Sequence, residues 1–339
     1  MMHRVLKRLT SIPTPVIFLF SLLMAILLLW QQDALSSIRP AIRGADPWII
    51  GAGLLLYLAG LALLCVRWNL LVKMVSGASQ ALRASEAFIT SVAVNYAAPL
   101  SLALPSRAYL TKRALGLGTA ETASITFWEV ASDLAVLAVG TLIWILIGGW
   151  RGQGVGVDNQ LVGLAVALLL GGLLAVFIAT KRVVRLRSIV HKMRGHFTEA
   201  LKHPTRRPRQ TVLSLIVTTG YWIVQGGVIW LLLKAIEGSN PNLSLVLGLT
   251  TLPILVGMLS PVPGGAGVRE ALMIAVASVH GASEANVLLV GVTYRIALFA
   301  AIPILYGIIR ILISMGGGDA GQGSFIREQE QLPIDSSSS

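Results

Sequence analysis

The chain has 339 residues, 55% hydrophobic and 12% charged, with 27 Lys and Arg against 15 Asp and Glu for a net charge of +12. A soluble domain carries about twice that charged fraction, so a water-soluble globular protein is excluded; the surplus cations read as loops beside anionic lipid headgroups rather than as a nucleic-acid surface. The lone Cys65 reads as a small core residue, no Cys/His cluster marks a metal, and no cofactor is expected.

Apolar blocks fall at 14–30, 47–66, 85–104, 120–149, 160–180, 210–234, 242–260, 266–281 and 284–313. A bilayer-spanning helix needs about 20 apolar residues, so the chain reads as an all-α, polytopic integral membrane protein. The first block, Pro15 to Trp30, follows the basic start Arg4, Lys7 and Arg8 as a signal peptide would. Gln31-Gln32-Asp33 offers no small-residue cleavage site, however, and the block reads as a retained helix. Residues 1–313 are taken as a single transmembrane domain. Within it, 181–209 is rich in Lys and Arg and reads as a cytoplasmic interfacial segment ending in a turn at Pro204 and Pro208. Residues 314–339, rich in Gly, Gln and Ser, read as a disordered tail.

The placement of Lys and Arg sets the orientation. With the N-terminus cytoplasmic, the first two spans return the chain to the inside at Arg67, Lys73 and Arg83. The 85–104 block is no ordinary span, because Asn95, Pro99 and Pro105 interrupt it and Arg107, Lys112 and Arg113 follow at once. A re-entrant hairpin keeps 107–118 inside. The 120–149 helix then crosses outward, 160–180 returns, and 210–234 crosses outward again. The 242–260 and 266–281 blocks form a second hairpin or two short spans, and the last helix runs inward. The sum is about six full spans plus two Pro/Gly-broken re-entrant hairpins, or about eight spans. Both termini lie on the cytoplasmic side of the plasma membrane. Trp48, Trp68, Trp150 and Trp230, near span ends, read as interface anchors.

An internal repeat is expected. Asn95-Tyr-Ala-Ala-Pro99, Pro105-Ser-Arg107 and the helix start Gly118-Thr-Ala-Glu121 are matched by Pro261-Val-Pro263-Gly-Gly-Ala-Gly-Val-Arg269 and the helix start Gly281-Ala-Ser-Glu284. One unit enters from inside and the other from outside, the inverted-repeat plan of transporters whose sites lie near the midplane.

Irregular backbone at membrane depth is tolerated only where protein buries it or a wet cavity meets it. Pro261, Pro263, Gly264, Gly265 and Gly267 break a continuous helix and let backbone N–H groups face a cavity beside Arg269 and Glu270, a setting that suits an anion. Thr122, Thr126, Glu129 and Asp133 share a helix face. Asp133 lies roughly 20 Å along its helix and Arg295 about 18 Å along the last one, from the opposite side. Ionisable groups so deep are costly unless paired or hydrated. Asp133 or Glu129 is therefore expected to meet Arg295, as an ion pair or across a shared cavity.

At Asn95-Tyr-Ala-Ala-Pro99, at Arg107-Ala-Tyr-Leu, at Glu129 to Asp133, and at Pro263-Gly-Gly-Ala-Gly-Val-Arg-Glu270 followed by Tyr294-Arg295, the chain resembles the lysylphosphatidylglycerol synthase transmembrane-region family. These are the YbhN-like proteins with a flippase-like domain, and the resemblance covers residues 10–313. The chain departs from the family pattern at Ala103-Leu104, where a glycine and an acid commonly precede the first arginine. It departs again at Val130, where an arginine often follows the glutamate. The two-domain synthases add a soluble aminoacyl-transfer domain, and no segment of that size is present here. The chain is therefore expected not to be an enzyme. What the resemblance implies is movement of a phospholipid or related lipid between leaflets.

The reading is a lipid flippase-like translocase. Its candidate headgroup residues are Asn95, Pro99, Arg107, Glu129, Asp133, Pro263, Gly264, Gly265, Gly267, Arg269, Glu270 and Arg295. Arg107, Arg269 and Arg295 receive the phosphate of a phospholipid or a polyprenyl or glycolipid; Glu129, Asp133 and Glu270 hold those arginines or accept a headgroup amine. The expected partners are membrane lipids. Two other readings stand beside it. One is a non-translocating, lipid-binding accessory subunit, whose protein partner would be a glycosyltransferase or a lipid-biosynthesis enzyme. The other is an ion-coupled small-solute transporter with a closed aqueous site.

Overall fold

A computed structural model describes residues 46–77, 80–97, 100–148, 203, 206–259 and 267–315. The expected spans at 14–30 and 160–180, most of the 181–209 segment and the tail beyond Met315 lie outside the described residues. Within them the chain is all-helical: α1 Pro47–Ser76, α2 Ala81–Ala97, α3 Leu100–Leu115, α4 Thr119–Leu146, α5 Pro208–Glu237, α6 Leu243–Leu259, α7 Val268–Val279 and α8 Glu284–Met315. Helices α1, α4, α5 and α8 are long and apolar enough to cross a membrane. Their outer faces keep Val139, Leu142, Ile143, Ile216, Ile223, Ile308 and Ile311 exposed, apolar surface that belongs against lipid. The protein is a polytopic helical membrane protein.

Local sequence sets the helix ends. Asp46 caps α1 by accepting the Trp48 N–H at 2.9 Å, and Pro47 occupies the first turn, where its missing N–H costs nothing. Gly77 (φ 80°) and Gly238 (φ 69°) close α1 and α5 in the left-handed conformation that glycine adopts freely. Helix α1 therefore continues ten residues beyond the expected end of its apolar block, as far as Ser76. Arg67 and Trp68, expected at a cytoplasmic end, lie inside this helix and are 1% and 0% exposed. Of the other expected anchors, Trp48 is exposed at the start of α1, Trp230 lies 5.0 Å from the Lys234 ammonium, and Trp150 is outside the described residues. Cys65 is buried in the core, as expected.

Helices α2 and α3 pack on each other, as do α6 and α7. The 12 residues of α7 reach only about 18 Å, short of a hydrocarbon core about 30 Å thick. This favours a hairpin over two full spans for 242–281.

The order of lengths is long, short, short, long, and then the same again. Taking α1–α4 onto α5–α8 carries each principal helix interface onto another. The α1–α2, α2–α3, α3–α4 and α1–α4 interfaces map onto α5–α6, α6–α7, α7–α8 and α5–α8, and α2–α8 and α1–α8 map onto α4–α6 and α4–α5. The most extensive interface, α1–α5, maps onto itself. These two helices run antiparallel. Gly53 faces Leu232, Gly60 faces Gln225, and the far end of α1 takes the Arg207 guanidinium on the Lys73 carbonyl. Their close approach uses small residues: a Cβ on Gly60 would lie 2.9 Å from Gln225 Nε2, and one on Gly227 would lie 3.0 Å from a Leu56 methyl. An antiparallel central pair with matched interfaces is an inverted repeat whose axis lies across the helices.

The repeat is less exact at the helix starts. Gly118 N–H donates to Glu121 Oε2 at 2.8 Å at the start of α4, the glutamate half of a capping box. The same bond forms between Gly267 and Glu270, not between Gly281 and Glu284. Glu284 is instead the first residue of α8 and accepts from the Ser278 hydroxyl.

Candidate functional site

The first repeat buries four charged groups. Arg67 of α1 forks between the two carboxylates of α4, donating from Nη1 to Asp133 Oδ1 at 2.5 Å and from Nη2 to Glu129 Oε1 at 2.9 Å. Glu129 and Asp133 are one helical turn apart, which is why a single planar guanidinium reaches both. Arg107 of α3 reaches the same Glu129 Oε1 at 2.5 Å and the Ser91 hydroxyl of α2 at 2.9 Å. Its guanidinium lies 5.1 Å from the Phe88 ring centroid, a cation–π placement. Trp222 of α5 donates from Nε1 to Asp133 Oδ1 at 2.9 Å. Two cations and two carboxylates cancel, as burial in so dry a site demands. The pairing is tight but incomplete, because Glu129 Oε2 and Arg67 Nε are sealed without a hydrogen-bond partner among the described residues.

The second repeat holds a counterpart. Arg295 stands eleven residues into α8, close to the place of Glu129 in α4, and forms an ion pair with Glu270 of α7. In each repeat, then, the second short helix is tied to the long helix by one ion pair, with the signs exchanged: Arg107 to Glu129, and Glu270 to Arg295. Glu270 is committed twice, because its Oε2 also accepts the Gly267 N–H at 2.6 Å. Gly267 has φ 81°, a conformation costly for any residue with a Cβ. Arg269 lies over the Tyr294 ring at 4.9 Å, and the Tyr294 hydroxyl donates to Gln225 Oε1 at 2.6 Å.

The structure thus brings Arg107, Glu129 and Asp133 together in one cluster and Gly267, Arg269, Glu270 and Arg295 in another. The expected pairing of Asp133 or Glu129 with Arg295 is replaced by Arg67 on one side and Glu270 on the other. Asn95 lies on α2 with its side chain outside the described part, and Pro99, Pro263, Gly264 and Gly265 lie outside the described residues.

The family model described as the lysylphosphatidylglycerol synthase TM region matches residues 16–307. The chain belongs to that family. The inner membrane protein YbhN of Escherichia coli (strain K12) is 31% identical over 100 residues, 30% of this chain and 30% of that protein. A UPF0104 membrane protein of Methanothermobacter thermautotrophicus is 24% identical over 298 residues, 79% of this chain and 84% of that protein. The chain therefore spans less than a third of YbhN and most of the archaeal relative. No solved structure matches the chain.

The part matching the lysylphosphatidylglycerol synthase TM region contains both clusters. Sequence reasoning missed Arg67, Trp222 and Gln225 in it. For Arg67 a signal was present: no helix breaker separates it from Cys65, and the first stop is Gly77. Trp222 and Gln225 carry no charge and stand in an apolar run, so nothing marked them.

The double role of Glu270 gives an expected result. Glu270→Gln keeps an acceptor for the Gly267 N–H but leaves Arg295 without its carboxylate, whereas Glu270→Ala removes both. Thermal unfolding in detergent should find the Ala variant less stable by a further amount of about 1 kcal/mol, the order of one lost helix cap. Equal losses would show that the cap is idle.

Proposed function

We propose that this chain is a lipid translocase of the cytoplasmic membrane, with both termini on the cytoplasmic side. It moves a phosphate-bearing lipid between leaflets and makes no covalent change to it. The observation that carries this reading is a buried charged cluster and its partly buried counterpart inside an inverted helical repeat whose outer surface is apolar. Charges so deep are costly and ordinarily mark a site or a pathway. In transporters built from inverted repeats the site lies at the repeat interface. Here each short helical pair is joined to its long helix through one ion pair, Arg107–Glu129 or Glu270–Arg295. An anionic headgroup that competes for such an arginine can loosen one hairpin at a time. The acyl chains stay in the bilayer throughout, so the cavity hydrates only the headgroup. Membership of the lysylphosphatidylglycerol synthase TM region family supports the same reading.

The test is reconstitution in vesicles that carry headgroup-labelled phosphatidylglycerol, with chemical quenching of the outer leaflet. Faster exchange than in protein-free vesicles is expected. Arg107→Gln, which unties α3 from Glu129, is expected to lower the rate at least about ten-fold, the worth of one charged hydrogen bond. Tight binding without exchange would replace this reading by the accessory lipid-binding subunit, and uptake of a soluble solute by the small-solute transporter.

A further inference from the structure

Charge balance differs between the two repeats. In the first, Arg67 and Arg107 face Glu129 and Asp133, and the sum is zero. In the second, Arg269 and Arg295 face Glu270 alone among the described residues, and Glu270 is taken by Arg295. Where Arg107 finds a carboxylate on α4, the corresponding stretch of α8 offers the cation Arg295, so Arg269 is left over. Only 9% of Arg269 is exposed. No ion pair or hydrogen bond joins its guanidinium to another described residue; its contact is the Tyr294 ring. Residues 260–266, which precede it, contain no Asp or Glu. A buried guanidinium held on an aromatic face, with no counter-ion among the described residues, suits an anion that arrives.

The acids argue about the rest of the headgroup. Glu129, Asp133 and Glu270 each already hold an arginine, and the Glu129 oxygen left without a partner is sealed in the interior, so among the described carboxylates of the two clusters none is left to receive an ammonium group. One spare positive charge with no spare carboxylate fits a group of charge −1 that carries no amine.

We propose that Arg269, seated on Tyr294 at the start of α7, is the receptor for a singly charged phosphodiester headgroup without an amine. This assignment rests on the lipid reading above and narrows it. It disfavours diphosphates, whose second phosphate would meet no second unpaired cation among the described residues of the two clusters, and it places first capture of the phosphate at Arg269, ahead of the paired Arg107 and Arg295.

Native mass spectrometry of the full chain in detergent tests this with four probes: phosphatidylglycerol, phosphatidylethanolamine, a polyprenyl diphosphate and the free headgroup glycerophosphoglycerol. Phosphatidylglycerol is expected to bind at least about ten-fold more tightly than the other two lipids. Arg269→Gln should lose at least about ten-fold in that affinity, and Arg269→Lys part of it. Arg310→Gln, whose pairing with Glu86 lies outside both clusters, should bind as the parent does. Without added lipid, Arg269→Gln should melt no lower than the parent, since it removes an uncompensated buried charge, and phosphatidylglycerol should raise the melting temperature of the parent alone. Tighter binding of the diphosphate or the amine lipid overturns the assignment and leaves lipid transport standing. So does an Arg269→Gln chain that binds and moves phosphatidylglycerol as the parent does, or one that melts several degrees lower. Free headgroup binding as tightly as the lipid keeps Arg269 as a phosphodiester receptor and overturns the lipid reading.

Discussion

Arg67→Gln is expected to destabilise the protein more than any other single substitution in the charged clusters. Arg67 is 1% exposed and is the only described cation shared by Glu129 and Asp133. Without it, two carboxylates one turn apart face each other in a dry interior with Arg107 as their sole remaining cation. Breaking a buried pair from one side costs about 3–5 kcal/mol, because the stranded charge has neither water nor a partner. The same change at Arg295 should cost less, since that pair is partly exposed, at 18% and 29% for its two side chains. The sharper measurement is a double-mutant cycle. Arg67→Gln with Asp133→Asn leaves Glu129 and Arg107 as a neutral pair, and the asparagine oxygen can still accept from Trp222. The double variant should therefore melt above Arg67→Gln in detergent. Strictly additive losses would mean that the triad holds no mutual energy.

Gly248→Val is expected to abolish the packing of α6 against α4 and α7. A Cβ at Gly248 would lie 2.7 Å from Trp144 Nε1, 2.8 Å from its Cε2 and 2.9 Å from a Val276 methyl. Trp144 is 3% exposed and Val276 1%, and an indole cannot fold out of the way as a flexible chain can. Overpacking of a filled core costs about 1–3 kcal/mol, and here three contacts are violated at once. Gly248→Ala should show the lower end of that range and Gly248→Val the upper end or more, read as melting temperature and monodisperse yield. Gly220→Ala on α5 is the control. It meets no neighbouring atom within 4 Å, and replacing a helical glycine by alanine gains up to about 1 kcal/mol. If both glycine positions respond alike, the close approach at Gly248 is not what holds α6.

The sequence alone settled the class of molecule and most of its long elements. Composition and runs of apolar residues depend on the solvent that surrounds a helix, and that is a local property. The start of α4 was equally legible, because its Gly-x-x-Glu pattern closes its own hydrogen bond within four residues; the second such bond forms at Gly267 and Glu270 rather than at the expected Gly281 and Glu284. Residues Glu129 and Asp133 could be placed on one face by helical spacing, and the breaks near Pro99 and Pro263 could be read as the ends of short elements.

What the sequence could not assign was which charge meets which. Arg67 lies 62 residues from Glu129 and 66 from Asp133, and no rule of spacing reaches that far. An apolar window also stops at its first charge, so it reads Arg67 and Trp68 as a membrane boundary, whereas α1 continues to Ser76. The partners are fixed by the rotation of α1 against α4, which in turn follows from the close seating of α1 on α5 through Gly60 and Gly227. The same holds for the second repeat. Sequence placed Arg295 deep enough to need a counter-ion, but only the packing of α7 on α8 gives it Glu270 and leaves Arg269 on the Tyr294 ring. Burial makes these charges demand partners, and tertiary contact alone decides who answers, because electrostatic choice in a dry interior depends on distances of a few ångströms between helices far apart in the chain.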